Sequence, residues 1–169
     1  FAMSARRHMK EYGTTREQIA LVSVKNHAHG SLNPKAAYQK PVTLEEVLNS
    51  RIISDPLRLL ECCPNTDGCA ALVLAAKEAV GRFTGKPVWI GGCGQTSGTY
   101  SGKGEFFMSE LIQGSAREAY EMAGLGPQDI DVAEVHDCFS MAEITHYEDL
   151  GFCKRGEGGR LVEEKVTWL

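Results

Sequence analysis

The stretch Val132-Ala133-Glu134-Val135-His136-Asp137-Cys138-Phe139-Ser140 constrains the fold of this chain more than any other. A short apolar run ends abruptly in polar and reactive groups. Val132, Ala133 and Val135 suit a buried strand, and Ser140 opens a helical pattern that runs to Leu150. Ser140 and Glu143 have the spacing of a capping box. His136, Asp137 and Cys138 are therefore expected on a strand-to-helix turn, where ligands meet the ends of strands in α/β folds. The plainer reading is a polar turn with a half-buried cysteine. Loops, however, carry function more often than strands do.

Composition and charge narrow the function classes. With 43% hydrophobic residues in 169, the chain has ordinary globular composition and enough apolar side chains for a core. The length allows one domain or two small ones. A net charge of −4 without a basic block argues against nucleic acid. No apolar run reaches bilayer-spanning length, so no membrane partner is expected. Cys62, Cys63, Cys69, Cys93, Cys138 and Cys153 form no Cys-x-x-Cys pair and sit mostly in apolar or Gly-rich runs. That pattern suits reduced thiols and a cytoplasmic location. No signal peptide is visible. Phe1 is not an initiator Met, and Trp168-Leu169 gives no closing signal, so both ends are expected to be cuts in a longer protein.

Along the chain, Ala2, Ala5, His8 and Met9 recur at helical spacing, and Gly13 ends that helix. Thr14-Thr15-Arg16-Glu17 has capping-box form and introduces a second helix, whose branched end also suits a strand. Asn26-His27-Ala28-His29-Gly30 is expected to terminate it. His27 and His29 read as a polar helix end, since a metal pair needs further ligands nearby. Residues 30–42 read as loop. Two short helices follow: Thr43 to Leu48, with Thr43 as N-cap and Glu46 at the third position, and Asp55 to Leu60, with Pro56 at its first position. Together these form an excursion from the main domain.

Cys69-Ala70-Ala71-Leu72-Val73-Leu74-Ala75 suits a fully buried strand, with a buried helix as the alternative. Thr84-Gly85-Lys86-Pro87 reads as a linker. Val88-Trp89-Ile90 starts a strand that leads into Gly91-Gly92-Cys93-Gly94-Gln95-Thr96-Ser97-Gly98. A Gly-rich loop can cradle phosphate, but dinucleotide and P-loop spacings are absent, so a glycine-relieved turn or bulge is the better reading. Glu105 to Met122 carries Phe106, Leu111, Ile112, Ala116, Ala119 and Tyr120 at helical intervals and stops at Gly124-Leu125-Gly126-Pro127. Helix, strand, polar turn, helix is the grammar of an α/β fold. Lys154 to Arg160 reads as loop.

The anchoring stretch allows two chemistries. His136 suits an acid/base or hydrogen-bonding group acting on a carbonyl substrate near a thiol, because small shifts move an imidazole across neutral pH. Alternatively Glu143 and His146, three apart on one helix face, can chelate a metal. Strand alternation sends Glu134 and His136 one way and Asp137 the other, so no compact ligand set results and no metal is expected. The plainer reading puts Glu143 and His146 on a solvated helix face and makes Cys153 a small hydrophobe.

His136-Asp137-Cys138-Phe139, followed by Ala142-Glu143 and Tyr147-Glu148-x-Leu150-Gly151-Phe152-Cys153, resembles thiolases, closest to the branch of sterol-carrier-protein-x and archaeal type. Tyr12 to Gln18, Val24-Lys25-Asn26-His27, Asn33-Pro34, Glu46 to Ser50, Asp55-Pro56-Leu57 and Cys63-Pro64-x-x-Asp67-Gly68-Cys69 extend the likeness over nearly the whole chain. The resemblance implies a layered αβαβα fold of two similar halves, in a dimer or tetramer. Residues 1–86 would then end the first half, with 26–64 as its CoA-binding loop excursion, and 87–169 would begin the second. It implies cleavage of 3-oxoacyl-CoA by CoA, or condensation of two acyl-CoAs, with CoA esters as substrates and no resident cofactor. His136 stands where commoner thiolases have an Asn that helps hold an oxyanion hole. By the same resemblance Cys63 and Pro64 line the pantetheine channel, His27 and His29 lie near CoA, and Phe139 packs beside the acyl pocket.

The family's acyl-accepting Cys, Gly-His-Pro and Cys-x-Gly motifs are not in this sequence. Gly92-Cys93-Gly94 imitates the last but precedes His136, so Cys93 is not assigned a catalytic role, and Cys138 reads as structural or pocket-lining. The chain alone is expected to be inactive. Three readings follow: a thiolase, a thiolase-fold aldolase or lyase working with a zinc-ribbon/OB-fold partner, and a non-catalytic acyl-CoA or lipid-binding module.

Overall fold

The computed structural model describes residues 1–83, 85–98 and 109–169. Helix α1 (Ala2–Tyr12) ends where Gly13 turns left-handed at φ 77° and donates to the Met9 carbonyl. Helix α2 (Arg16–Ser31) opens with a capping box: Thr15 Oγ1 accepts from Gln18 N, and Gln18 Oε1 accepts from Thr15 N. That is one residue later than the expected Thr14–Glu17 pairing. The helix runs through Asn26 to Ser31, one residue past the expected stop, so His27 and His29 are helical, with His29 in the last turn. Helix α3 (Leu44–Asn49) has the Thr43–Glu46 capping box as expected.

Asp55-Pro56 does not open a helix. It forms the turn, with a cis peptide, between antiparallel strands β1 (Ile52–Ser54) and β2 (Leu57–Arg58). Asp followed by Pro serves a tight turn as well as a helix start, and branched Ile52-Ile53 favours the strand. Helix α4 (Ser109–Ala123) ends at left-handed Gly124. The expected start of this helix, Glu105 and Phe106, lies outside the described residues, as does Thr84 of the expected linker.

Helix α5 (Ser140–Asp149) is the centre of the fold: every residue but His146 is buried. Helix α6 (Gly158–Glu163) occupies part of the expected 154–160 loop. Met141, Ile144 and Tyr147 of α5 join Ala5, Ile19, Val22, Leu57 and Val162 in one apolar core. Phe139 is the N-cap of α5 and makes no side-chain cap, so the expected Ser140–Glu143 capping box is absent. Ser140 Oγ instead bonds Ser23 Oγ at 2.8 Å. Behind the core, buried His8 lies between Thr14 Oγ1 at 2.7 Å and the Glu148 carboxylate at 3.1 Å, tying α1 to α5.

The three expected buried strands differ from expectation. Residues 69–75, 88–90 and 132–135 have no ladder partner among the described residues, and Leu72, Val73, Leu74, Val88, Trp89, Ile90 and Val132 are exposed. An apolar run specifies what a segment prefers to be buried against. A ladder also needs a second backbone at its edge. The residues after Ile90 nevertheless run extended along α4. Gly92, Gly94 and Thr96 approach Ala119, Ser115 and Leu111 of α4 in turn. Two residues of this segment keep pace with four of the helix, about 6 Å at 1.5 Å each, which requires a rise of about 3 Å per residue. Half-burial likewise alternates at 92, 94 and 96.

The glycines here allow close approach and form no phosphate cradle. A Cβ on Gly94 would lie 1.9 Å from the Ser115 carbonyl oxygen, and one on Gly92 2.2 Å from that of Ala119. Gly94→Ala is expected to push the segment off α4 and cost about 1–3 kcal/mol, the usual range for overpacking. Gly68, with open space at its Cβ position, is the control: Gly68→Ala should stay within about 0.5 kcal/mol. Equal denaturation midpoints for the two variants would contradict this packing. No helix among the described residues is long and apolar enough to cross a membrane.

Candidate functional site

The anchoring turn is pinned to the segment after β2. Cys62 and Phe139 form an isolated antiparallel bridge, and Cys63 N donates to the Cys138 carbonyl at 3.0 Å. This pairing brings Cys63-Pro64 beside Asp137. Helix α2 supplies the facing wall with Ser23, Asn26 and His27. Tyr38 of the following loop covers one end, its ring stacked on His27 with centroids 5.1 Å apart. The result is a groove of about 250 Å³.

A buried polar network forms the floor. Lys25 Nζ lies 2.7 Å from Glu143 Oε1, with side chains only 7% and 4% exposed. Asn26 Oδ1 accepts from Lys25 Nζ at 2.6 Å, while Asn26 Nδ2 donates to Asp137 Oδ2 at 2.5 Å and Glu143 Oε2 at 2.6 Å. The Tyr147 hydroxyl donates to Glu143 and lies 3.1 Å from Thr167 Oγ1. Glu143 is thus buried in this network and not on the solvated helix face that the plainer sequence reading gave it. Its helix neighbour His146 bonds elsewhere, Nε2 donating to the His136 carbonyl oxygen at 3.0 Å. Among the described residues, no group of three or more His, Cys, Asp or Glu side chains is placed to hold a metal ion.

Burial shapes the titration of these groups. It lifts the Asp137 carboxyl to about 6, with the neighbouring Glu143 charge and hydrogen bond adding to the effect. Burial, then Glu143, also raises the Tyr147 phenol. The Cys138 thiol is raised by burial and then by Cys63, so it is no ready thiolate. Cys153 is pushed up to about 12, chiefly by burial, which agrees with a small-hydrophobe role.

The residues named from sequence therefore divide. His27, Cys63 and Pro64 line the groove, and His27 Nδ1 is buried without a hydrogen-bond partner. His136 is exposed on the turn, next to the groove-lining Asp137. Phe139 packs on Phe1 with the rings tilted by 34° and centroids 4.4 Å apart, against the apolar core. His29 points away: its Nε2 accepts from Leu169 N at 3.1 Å and its ring meets Trp168 edge-on. Burial, then Lys25, lowers its pKa. Sequence reasoning missed Ser23, Lys25, Asn26 and Tyr147. Lys25 interrupting an apolar helix pattern was one signal, and the family-like runs Val24-Lys25-Asn26-His27 and Tyr147-Glu148 were another.

Residues 92–169 match the family described as thiolase C-terminal domain-like. An acetyl-CoA acetyltransferase of Methanothermobacter thermautotrophicus is 48% identical over 99% of this chain and 44% of its own length. Sterol carrier protein 2 of Bos taurus is 42% identical over 96% of this chain and 31% of its own. Among solved structures, the Ltp2-ChsH2(DUF35) aldolase superposes with a TM-score of 0.89 at 38% identity, covering 96% of this chain and 44% of that one. The chain spans less than half the length of these relatives. Its fold is of the thiolase α/β type, and the chain belongs to the thiolase superfamily.

Proposed function

We propose that the protein acts on acyl-CoA thioesters, and that its reaction is thiolysis of 3-oxoacyl-CoA by CoA or the reverse Claisen condensation. The observation that carries this is the 48% identity, over nearly all of this chain, to part of an archaeal acetyl-CoA acetyltransferase, with the anchoring turn held against a groove. On this reading the groove takes the pantetheine arm along His27, Cys63 and Pro64. The imidazole of His136 donates to the thioester oxygen as enolate charge develops. A fixed donor aimed at developing charge is worth about 3 kcal/mol of barrier. Phe139 then backs the acyl pocket. The nucleophile and the base that completes turnover belong to family motifs not in this sequence, so this chain positions and polarises substrate without forming the acyl-enzyme itself. The reading places the boundary between the two halves near Lys86, makes CoA esters substrates rather than resident cofactors, and takes the protein to be a cytoplasmic dimer or tetramer.

A second reading is favoured by the structural likeness to an aldolase named with a DUF35 partner: carbon–carbon cleavage of a CoA ester with a zinc-ribbon/OB-fold protein alongside. Free CoA separates the two. Thiolysis consumes one CoA per bond broken, and retro-aldol cleavage consumes none. Full-length protein given acetoacetyl-CoA is expected to yield two acetyl-CoA only when free CoA is added. Cleavage of a 3-hydroxyacyl-CoA without free CoA would favour the aldolase, and stoichiometric binding without either cleavage would leave only a binding module.

A further inference from the structure

Asp137 and Glu143 share one amide group on the floor of the groove. Asn26 cannot be turned over, because its Oδ1 accepts from Lys25 Nζ at 2.6 Å. Both carboxylates must therefore take their bonds from Asn26 Nδ2, at 2.5 and 2.6 Å. The donors are unequally divided. Among the described residues, Glu143 is served by an ammonium, an amide and a phenol, from Lys25, Asn26 and Tyr147, and Asp137 only by the Asn26 amide and its own backbone N–H. Two carboxylates this close repel when both are ionised, and the one with fewer donors holds the proton. Asp137 is also the member that lines the groove, whereas Glu143 is buried in α5.

The other charged and titratable groups facing this corner do not change that ordering. Lys25 of α2 is already paired with Glu143. Glu61, across the groove, is held by Arg16 at 2.9 Å. His27 and Cys63 line the walls. The carboxyl of Asp137, lifted to about 6, thus titrates close to neutral pH.

We propose that Asp137 is a ligand-facing carboxyl that takes up one proton from solvent when a thioester fills the groove, switching from hydrogen-bond acceptor to donor toward the ligand's carbonyl oxygen. The physical cause is displacement of water. A ligand removes the hydration that favours the carboxylate, and a carbonyl lone pair facing a carboxylate is repelled where a carboxylic acid is attracted. This inference rests on the reading of the groove as an acyl-CoA site.

Acetyl-pantetheine is the probe, because it lacks the titrating phosphates of CoA. Its affinity for the full-length protein, followed by NMR titration, is expected to fall about tenfold between pH 7 and 8, as uptake of one proton requires. Asp137→Asn, whose amide donates at every pH, should change by less than about twofold over that range. Binding with the same pH dependence in both proteins, or with none in the wild type, overturns the inference and leaves the groove reading intact. No binding at any pH overturns both. If Asp137→Asn does not fold, infrared spectroscopy of the wild type decides. Growth of a protonated-carboxyl band on adding acetyl-pantetheine at pH 7 supports the proposal, and an unchanged carboxyl region overturns it.

Discussion

Glu143→Ala is expected to cost about 3–5 kcal/mol of stability, read as a large fall in the denaturation midpoint, because it strands a buried ammonium. Lys25 Nζ, 2.7 Å from Glu143 Oε1 on a side chain 7% exposed, is left with the neutral Asn26 amide oxygen in place of a carboxylate. The Asn26 amide and the Tyr147 hydroxyl lose an acceptor in the same stroke. The cost of one missing partner is thus compounded by the unmet donors around it. The double variant Lys25→Met with Glu143→Leu should recover much of the loss, since two apolar groups leave no charge uncompensated. Denaturant titration of both singles and the double separates these cases. Single costs that simply add in the double would mean that the two groups do not interact. Exposed Arg160–Glu164, one turn apart on the surface at 3.2 Å, is the natural contrast, as such pairs rarely matter measurably.

Local chemistry was legible in this sequence, and pairing was not. Thr43 with Glu46, and Gly13 after Tyr12, act within one helical turn, and both behave as their spacing requires. Asp55-Pro56 carries a signal that two structures share, and the hairpin won because of the residues before it. Ser140 and Glu143 have cap spacing, but tertiary contact with α2 claims both side chains. The stretch at 91–98 reads from sequence as a glycine-relieved turn or bulge, and the reason for Gly92 and Gly94 lies instead in the backbone of α4. The site follows the same division. The run from His136 to Phe139 marks itself by residue type. Lys25 and Asn26 meet it only because α2 crosses α5, and no spacing along the chain encodes that crossing. The fold and family expected from the resemblance are those observed, whereas His29, which the resemblance put near CoA, points elsewhere.

His136→Ala tests the opposite corner of the same turn. On the proposed reading it lowers kcat for thiolysis by about 10²–10³-fold, the usual effect of deleting one oxyanion-hole donor. KM should move little, because the bond strengthens only as charge develops on the thioester oxygen. Stability should stay within about 0.5 kcal/mol. The imidazole is exposed, and it is the His136 backbone carbonyl, untouched by the substitution, that His146 engages. Glu143→Ala loses the fold's support, while His136→Ala keeps the fold and loses rate. His136→Asn is the informative rescue: a shorter side chain with an N–H donor, the group that commoner thiolases place here, should restore part of the rate lost in the alanine variant. Equal loss in both would mean that the imidazole acts by proton transfer, which an amide cannot perform. A change in KM alone would make His136 a binding group with no role in stabilising the transition state.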